Sequence, residues 1–246
     1  MDKVLIIGAS SDLSSEVLPT LIDQGSKIGL HYSSNKKAVE KYEDRENVKL
    51  IQCTIHDEEG CKAIIDDYVS WAGGIDGIVI FLGDISATCH WKEIEAQQLE
   101  NEYRYNAVYP LLLAKYAQKY MNKKVKGGGG RILFISTASV RRGGGSTTIG
   151  YGMAKAALEC GMKRLARDLA AEGILVNAIA PGFFDTKFNR ERKKLSEKDV
   201  EARVEMIPLK RGGRKEEMAS CVLYMLSEGA GFISGQVITV DGGDFL

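Results

Sequence analysis

The amino-acid sequence predicts an α/β fold: one doubly wound, parallel sheet of seven strands with helices on both faces. Short apolar runs alternate along the chain with longer runs of helical periodicity, which is typical of βαβ units. Two of the short runs, "GIVIFL" (77–82) and "RILFIS" (131–136), are apolar at almost every position. Strands of this composition are buried on both faces, as in a parallel sheet covered by helices.

Each element follows from a local pattern, taken in chain order. The first strand is the apolar run that ends at Gly8, and an amphipathic run follows it as the first helix. The last strand lies between the turn at 232–235 and the glycines at 242–243. Strands are predicted near 3–7, 27–32, 48–52, 76–82, 131–136, 174–180 and 236–240, and helices near 12–24, 35–44, 58–71, 99–121, 151–171 and 215–227.

The chain has no composition shift that marks a linker. A length of 246 residues suits one large α/β domain. The glycine-rich stretch "KGGGG" (126–130) is too short for a domain boundary and is interpreted as a turn. We therefore expect residues 1–246 to form a single domain.

Composition excludes several classes of function. Basic and acidic residues both number 33, so the net charge is zero, and we expect neither a nucleic-acid partner nor a membrane partner. The five cysteines lack metal-type spacing, so we expect reduced thiols and no metal site. The chain shows no signal-peptide pattern and no apolar run near 18 residues, which favours a cytoplasmic protein.

The most informative local motif is "YGMAK", which places Tyr151 and Lys155 four residues apart. On a helix their Cβ atoms are then roughly 5–6 Å apart on one face. An ammonium at that distance favours the phenolate and lowers the pKa of the tyrosine. Such a tyrosine can act as a general acid near neutral pH. The motif alone is weak, because many surface helices contain it by chance.

Other polar residues support a catalytic interpretation. Thr137 and Ser139 follow the end of the predicted fifth strand, where ligands of open α/β sheets lie. Asn106 lies in an otherwise apolar helical run, although asparagine is a poor residue for a helix interior. A capping or structural role for Asn106 is the alternative.

Taken in order and spacing, Gly8, Asn106, Tyr151, Lys155 and the segments "NAIAPGFFDT" (177–186) and "SGQVITVDGG" (234–243) resemble the short-chain dehydrogenase/reductase family. The nearest branch is that of the 3-oxoacyl-[acyl-carrier-protein] reductases. The resemblance covers essentially the whole chain. It implies a Rossmann-type domain, hydride transfer between a nicotinamide cofactor and a carbonyl or secondary alcohol, and a homotetramer.

The resemblance also implies roles for individual residues. Tyr151 would donate the proton, Lys155 would lower its pKa and bind the nicotinamide ribose, and Asn106 would hold a water. The register of the fifth strand would assign the catalytic hydroxyl to Thr137, whereas the family's usual spacing from the tyrosine falls on Ala138. Thr137 is favoured, and Ser139 is the alternative. The predicted cofactor-binding residues are Gly8, Ser10, Ser11, Asp12, Leu13, Ser33, Ser34, Asn35, Gly83, Tyr151, Lys155, Pro181, Gly182 and Thr186.

The sequence departs from the family pattern on the cofactor side. Asp12 and Ser14 replace the second and third glycines of the phosphate-binding turn. Asp12 either caps the first helix or brings a negative charge close to a phosphate. Thr54 replaces an aspartate after the third strand, and 80–83 read "IFLG" in place of Asn-Asn-Ala-Gly.

The predicted cofactor is NADP(H), with NAD(H) as the alternative. No acidic residue follows the second strand to bind a ribose 2′-hydroxyl. Ser33, Ser34, Asn35 and Lys36 instead offer hydrogen-bond donors and a positive charge. Lys36 is also interpretable as part of an exposed helix start.

Two functions remain open at this point. The first is a reductase of a small-molecule carbonyl, with the segment 183–206 covering a mixed or apolar pocket. Glu172 precedes the glycine that ends the active-site helix, which disfavours an acidic carrier protein as substrate. The second is a non-catalytic or weakly cofactor-binding subunit, which the changes at Asp12, Thr54 and 80–83 favour.

Overall fold

The computed structural model of the chain describes residues 1–86, 88–121, 129–192 and 195–245. Most of the glycine-rich stretch at 126–130 lies outside the described residues. Within them, seven strands form one parallel sheet in the order β3-β2-β1-β4-β5-β6-β7. The strands are β1 (Lys3–Ile7), β2 (Lys27–Tyr32), β3 (Val48–Gln52), β4 (Gly77–Ile80), β5 (Arg131–Ile135), β6 (Leu175–Pro181) and β7 (Val237–Val240).

Helices cover both faces of this sheet. Leu5 and Ile7 of β1 pack on one face, and Val4 and Ile6 pack on the other, each in a separate apolar cluster. This explains why the strand is apolar at consecutive positions. The α-helices of the described residues are α1 (Val17–Asp23), α2 (Glu58–Ala72), α3 (Ala96–Tyr103), α4 (Tyr109–Ala117), α5 (Ile149–Leu169), α6 (Glu197–Met206) and α7 (Lys215–Leu226). No helix in this part of the chain is both long enough and apolar enough to cross a bilayer.

The strand order positions the site. Strand β1 pairs with β2 on one side and with β4 on the other. The order in which successive strands are added to the sheet therefore reverses between β1 and β4. Ligands of open α/β sheets lie beyond the carboxyl ends of the strands at this reversal point. The loops after β1, β4, β5 and β6 therefore meet at one edge of the sheet.

Two helix predictions are wrong near this edge. The helix predicted at 12–24 begins at Val17, and residues 8–16 form successive turns. Ser14 contributes to these turns, because its hydroxyl donates to the carbonyls of Ala9 and Ser11 at 2.8 Å. The helix predicted at 35–44 is replaced by two short 3₁₀ segments, Lys36–Ala38 and Glu40–Tyr42.

The long helix predicted at 99–121 is interrupted. Helix α3 passes into a π-helical turn over Arg104–Val108 before α4 begins. A π turn inserts one extra residue and frequently marks a functional site. Asn106 lies within it and is fully buried.

The small residues of α5 have contacts within the chain. A Cβ on Gly152 would lie 2.6 Å from Cα of Gly144, and one on Gly161 would lie 3.0 Å from the Leu111 side chain. The absence of a side chain at Gly152 therefore lets the loop after β5 approach the helix that bears Tyr151. Intrachain packing accounts for both glycines without a second subunit.

Replacing Gly152 by alanine is expected to lower the free energy of unfolding by about 1–3 kcal/mol, because the added methyl group meets main-chain atoms. Urea unfolding monitored by circular dichroism measures the effect. Gly60→Ala is the matched control, since its Cβ would have no neighbour closer than 3.5 Å. Equal destabilisation by the two substitutions would contradict this account of the packing.

Candidate active site

A cavity lies at the carboxyl edge of the sheet, where the loops after four strands meet. The turn after β1 contributes Ser11, Asp12 and Leu13, and helix α5 contributes Tyr151 and Lys155. The cavity brings together ten of the residues predicted from the sequence, namely Ser11, Asp12, Leu13, Gly83, Thr137, Tyr151, Lys155, Pro181, Gly182 and Thr186. Gly8, Ser10, Ser33, Ser34, Asn35, Asn106 and Ser139 do not line it.

Lys155 is the basic residue in the lining of this cavity, and only 1% of its surface is exposed. Its Nζ atom donates to the carbonyl oxygens of Leu82 at 2.9 Å and Ile135 at 2.8 Å. These carbonyls follow β4 and end β5, so the lysine connects α5 to two neighbouring strands. Because Lys155 binds main-chain oxygens, the side chains of "IFLG" at 80–83 do not remove this contact.

Tyr151 lies beside Lys155 and is 8% exposed. Its ring centroid is 5.7 Å from Nζ of the lysine. Burial raises the pKa of the Tyr151 phenol above its ordinary value, and the negative charge of Glu102 adds to this. Burial lowers the pKa of the Lys155 ammonium to about 7, against the opposing effect of Glu159 and Glu102.

The expectation that Lys155 lowers the pKa of Tyr151 is therefore wrong for the protein without ligand. Burial disfavours the charged forms of both groups, and the further charges that shift their pKa values are those of Glu102 and Glu159. Tyr151 is accordingly protonated at neutral pH. A protonated phenol is the form that can donate to a substrate oxygen.

Asn106 lies directly behind the cavity. Its Oδ1 accepts the N–H of Asp84 at 3.0 Å, and its Nδ2 donates to the carbonyl of the same residue at 2.8 Å. A Cβ on Gly83 would lie 3.5 Å from Oδ1 of Asn106 and 3.5 Å from Nζ of Lys155. The asparagine is thus held close to the lysine with no side chain between them.

Both candidate hydroxyls follow β5, and they contact each other at 3.1 Å. Thr137 lines the cavity with Tyr151 and Lys155 and also lines a neighbouring cavity. Ser139 lines only the neighbouring one of these two cavities. Of the two hydroxyls, that of Thr137 is therefore better placed for chemistry at Tyr151.

The turn after β1 offers main-chain donors to the cavity. The N–H groups of Asp12 and Leu13 have no acceptor among the described residues. Gly8 has φ +73° and donates its N–H to Nδ1 of His31 at 3.2 Å, while Nε2 of that histidine donates to the Cys53 carbonyl. A Cβ on Gly8 would meet the Phe81 carbonyl at 3.2 Å, so glycine is required here.

The carboxylate of Asp12 does not cap α1. The N-cap residue of that helix is Glu16, and no side chain caps it. Asp12 instead accepts the N–H of Lys187 at 2.6 Å, across the cavity mouth. The capping hypothesis is wrong because the N-cap of the helix is Glu16, four residues after Asp12, and the Asp12 carboxylate bonds to the segment after β6.

The residues predicted to bind the adenosine ribose lie apart from the cavity, at the end of β2. Ser33 and Thr54 share a hydrogen bond of 2.8 Å between their hydroxyls. Lys36 forms an exposed ion pair of 2.8 Å with Glu43. The Lys36 charge, which the sequence offers to a ribose 2′-phosphate, is therefore already paired with the Glu43 carboxylate.

Sequence reasoning missed two acidic residues near Tyr151 and Lys155. Glu159 lies one helical turn after Lys155 and accepts the hydroxyl of Ser136. Glu102 lies one turn before Asn106 and is 2% exposed. The four-residue spacing of Glu102 and Asn106 indicates that both lie on one face of a helix. That signal is weak, because a glutamate in a polar helical stretch is usually solvated.

The residues present fit a dinucleotide. Unbonded N–H groups at Asp12 and Leu13 suit phosphate oxygens, which favour main-chain donors at such turns. Gly83 places no side chain beside Lys155, whose Nζ lies 3.5 Å from the position that a Cβ on residue 83 would take. The charge of Asp12 opposes phosphate binding.

Comparisons with known proteins agree with this geometry. The sequence model of the family described as "Enoyl-(Acyl carrier protein) reductase" matches residues 8–244. The chain is 30% identical to a 3-oxoacyl-[acyl-carrier-protein] reductase of Aquifex aeolicus, over 98% of this chain and 96% of the relative. It is 28% identical to an acetoacetyl-CoA reductase of Rhizobium meliloti, over 98% and 97% of the two chains.

Solved structures show the same fold. A short-chain dehydrogenase/reductase of Serratia marcescens superposes with a TM-score of 0.87 at 24% identity, covering 99% of this chain and 98% of that one. A Pseudomonas aeruginosa protein solved as an RhlG/NADP active-site complex also gives 0.87, at 20% identity over 99% and 96%. Together with the family match, these similarities show that the chain belongs to the short-chain dehydrogenase/reductase family of oxidoreductases.

Proposed function

We propose that the protein is an NADP(H)-dependent reductase of a carbonyl compound, with Tyr151 as general acid. The observation that carries the proposal is the convergence of Tyr151, Lys155 and Thr137 on a cavity that also offers unbonded main-chain donors. The whole chain, 1–246, is proposed to act as one NAD(P)-binding domain.

The roles of the residues follow from their positions. A bound dihydronicotinamide supplies the hydride for this reaction. The main-chain N–H groups of Asp12 and Leu13 would hold its phosphates, and Lys155, Gly83, Pro181, Gly182 and Thr186 would enclose the nicotinamide side. Thr137 donates a hydrogen bond to the substrate oxygen, with Ser139 as the alternative donor. Tyr151 then donates its proton to that oxygen as negative charge develops on it.

The preference for NADP(H) rests on the end of β2. Ser33, Ser34 and Asn35 offer donors and no carboxylate, which suits a 2′-phosphate better than a 2′-hydroxyl. Lys37 has no carboxylate partner among the described residues, whereas Lys36 is paired with Glu43. Lys37 therefore replaces Lys36 as the proposed cation for this phosphate, and NAD(H) remains the alternative cofactor.

The substrate is proposed to be an acyl thioester with a 3-oxo group. The names of the two relatives described above are those of a 3-oxoacyl-[acyl-carrier-protein] reductase and an acetoacetyl-CoA reductase. The cavity next to Thr137 is lined by Ser139, Arg142, Phe183 and Phe245 among others, a mixture of polar and apolar groups. The guanidinium of Arg142 lies 4.7 Å from the Phe245 ring centroid and faces this cavity as a cation.

The assembly is proposed to be a homotetramer, as in the family. Helix α5 presents Met153 with 55% of its surface exposed, together with the exposed Ala156 and Cys160. An apolar face of this kind suits contact with a second subunit. A monomer in light scattering would contradict the assembly.

One observation favours a non-catalytic subunit as the second candidate. The Asp12 carboxylate is held at the cavity mouth by the Lys187 N–H, where it opposes the approach of a phosphate. A chain that binds no cofactor would retain this contact permanently. Cofactor titration separates the two functions.

Wild-type protein is expected to bind NADPH with a dissociation constant below 1 mM, as followed by nicotinamide fluorescence. Asp12→Asn is expected to tighten binding about fivefold or more, because it removes a negative charge from the phosphate turn yet keeps an acceptor for Lys187. Glu16→Gln, which removes an exposed acid nearby, is the control and should change the affinity less than twofold. Absence of binding at millimolar NADPH would refute the reductase proposal.

Tyr151→Phe is expected to reduce kcat by at least 100-fold on any carbonyl that the wild type reduces, with NADPH affinity unchanged, because only the proton donor is lost. Thr137→Ala should lower kcat more than Ser139→Ala does, since Thr137 lines the cavity of Tyr151. Initial rates from NADPH absorbance provide the measurement. The reverse order of the two alanine variants would assign the hydroxyl role to Ser139.

Stability should depend on pH through Lys155. Its lowered pKa means that the unfolded chain binds one more proton than the native protein between about pH 7 and pH 10, so stability rises with pH there. Lys155→Met removes this contribution, so the free energy of unfolding of the wild type should rise relative to that of Lys155→Met by about 1–2 kcal/mol between pH 7.0 and 8.5. Urea unfolding at both pH values tests this; a constant difference would show that Lys155 is charged throughout.

A further inference from the structure

Arg142 is a cation close to the candidate hydroxyls, and the proposed reaction has assigned no role to it. It lines the cavity next to Thr137, together with Ser139 and Phe245 among others. Thr137 also lines the cavity of Tyr151, so the two cavities adjoin at the residue that would contact the substrate oxygen. A group attached to the reacting carbonyl can therefore extend from Tyr151 towards Arg142.

A short 3₁₀ helix sets the distance of Arg142 from these hydroxyls. The helix spans Ala138–Arg142 and begins directly after Thr137. Side chains three residues apart eclipse in a 3₁₀ helix, so Ser139 and Arg142 lie on one face, about 6 Å apart along its axis. The Ser139 hydroxyl in turn contacts that of Thr137 at 3.1 Å. An anionic group a few bonds from the reacting carbonyl can thus reach the guanidinium.

The charge of Arg142 is available to a ligand. Its guanidinium carbon lies 4.7 Å from the Phe245 ring centroid, and no acidic side chain of the described residues pairs with it. The cavity lining also contains Arg203, whose guanidinium carbon lies 5.9 Å from the same centroid. Arg203 is already paired with Asp244, because its Nη1 donates to Oδ1 of that residue at 2.8 Å. Of these two cations, Arg142 is therefore the one that can bind an anion.

The rest of this cavity favours an anionic ligand as well. None of the described residues that line it is acidic, and several carry hydroxyl groups, among them Ser139, Ser146 and Thr147. A guanidinium binds a carboxylate through two parallel N–H···O bonds, and hydroxyl groups can donate to its remaining lone pairs. Arg142 is itself exposed, so its charge stays hydrated until a ligand displaces the water.

We propose that Arg142 selects a substrate whose acyl chain carries a carboxylate. This inference rests on the proposed reductase function and deepens it, because the substrate becomes a 3-oxoacyl thioester with an acidic acyl chain. The reacting carbonyl lies at Thr137 and Tyr151, while the carboxylate at the far end of the acyl chain accepts two N–H groups of Arg142.

The position of Arg142 favours this carboxylate over the other anion of a thioester substrate, a phosphate on its thiol carrier. The whole pantetheine arm separates that phosphate from the thioester. Only a few bonds separate a carboxylate on the acyl chain from the reacting carbonyl. The single 3₁₀ turn between Ser139 and Arg142 matches the shorter of these two separations.

Arg141 provides a matched control. It is the neighbouring arginine of the same 3₁₀ helix and is also exposed. Its Nη1 donates to the Phe245 carbonyl at 3.4 Å, and it lines neither of the two adjoining cavities. Arg141→Gln therefore removes a positive charge from the loop without removing one from the cavity.

The first experiment compares turnover of two thioesters that differ by one charge. These are 3-oxohexanoyl-N-acetylcysteamine and its analogue with a carboxylate in place of the terminal methyl group. The kcat/KM of the wild type and of Arg141→Gln should be at least tenfold higher for the carboxylate analogue. In Arg142→Gln the two values should agree within twofold, through loss on the carboxylate analogue alone. Arg142→Lys should retain part of the preference, because it keeps the charge but not the paired donors.

Three results overturn the proposal. The first is a wild type that uses both thioesters equally. The second is an Arg142→Gln variant that loses activity equally on both, because an ion pair acts only on the charged substrate. The third comes from comparing acetoacetyl-pantetheine with acetoacetyl-4′-phosphopantetheine. A preference for the phosphorylated thioester that Arg142→Gln abolishes, without a preference for the acyl carboxylate, assigns Arg142 to the carrier phosphate instead.

The second experiment measures binding without turnover. Hexanoyl-N-acetylcysteamine and its analogue with a terminal carboxylate lack the 3-oxo group and cannot be reduced. By calorimetric titration, the wild type should bind the carboxylate analogue at least fivefold more tightly than the hexanoyl thioester. This difference should shrink between about 0.05 M and 0.5 M NaCl, since salt screens exposed charges. Arg142→Gln should bind the two equally, and equal binding by the wild type overturns the proposal.

The two experiments separate this inference from the proposed function. A wild type that reduces no carbonyl with NADPH refutes the reductase, and the calorimetric titration then still decides whether Arg142 binds a carboxylate. An active wild type that uses both 3-oxohexanoyl thioesters equally refutes this inference alone. Thermal unfolding checks that the variants at Arg141 and Arg142 fold as the wild type does.

Discussion

The burial of the Lys155 ammonium between two strand-end carbonyls is the interaction on which the site depends. Its bonds to the Leu82 and Ile135 carbonyls attach α5 to the carboxyl edge of the sheet. This attachment fixes Tyr151 one turn earlier on the same helix. A charge without water is costly, so the site requires carbonyl dipoles and nearby carboxylates to keep a lysine there at all. Burial lowers the pKa of this lysine to about 7.

The same interaction explains how the chain tolerates unusual side chains. The contacts of Lys155 and the free donors of the turn after β1 both involve main-chain groups, which remain when "IFLG" occupies 80–83. Side chains at these positions only have to fit the core, and Phe81 and Leu82 are buried there. Gly8 is a position where a side chain would interfere, because its φ is +73° and a Cβ there would meet the Phe81 carbonyl at 3.2 Å. The family pattern is thus retained where main-chain geometry requires it.

Three acidic residues lie around the site. Asp12 bonds to the Lys187 N–H at its mouth, and Glu102 and Glu159 lie near the buried lysine. Such groups oppose anion binding at the mouth but favour the ammonium in the interior. Single substitutions can distinguish the effects of these carboxylates.

The sequence by itself determined the elements that rest on local pattern. Six of the seven strands end within one residue of the apolar runs, because burial on both faces requires continuous apolar side chains. The exception is β4, predicted at 76–82 and observed at Gly77–Ile80. The spacing of Tyr151 and Lys155 likewise placed both on one face of α5. Only the tertiary structure decided the partner of Asp12, the π turn at Asn106 and the burial of Glu102. These depend on contacts between residues far apart in the chain, and a local pattern carries no information about which distant group a polar side chain will meet.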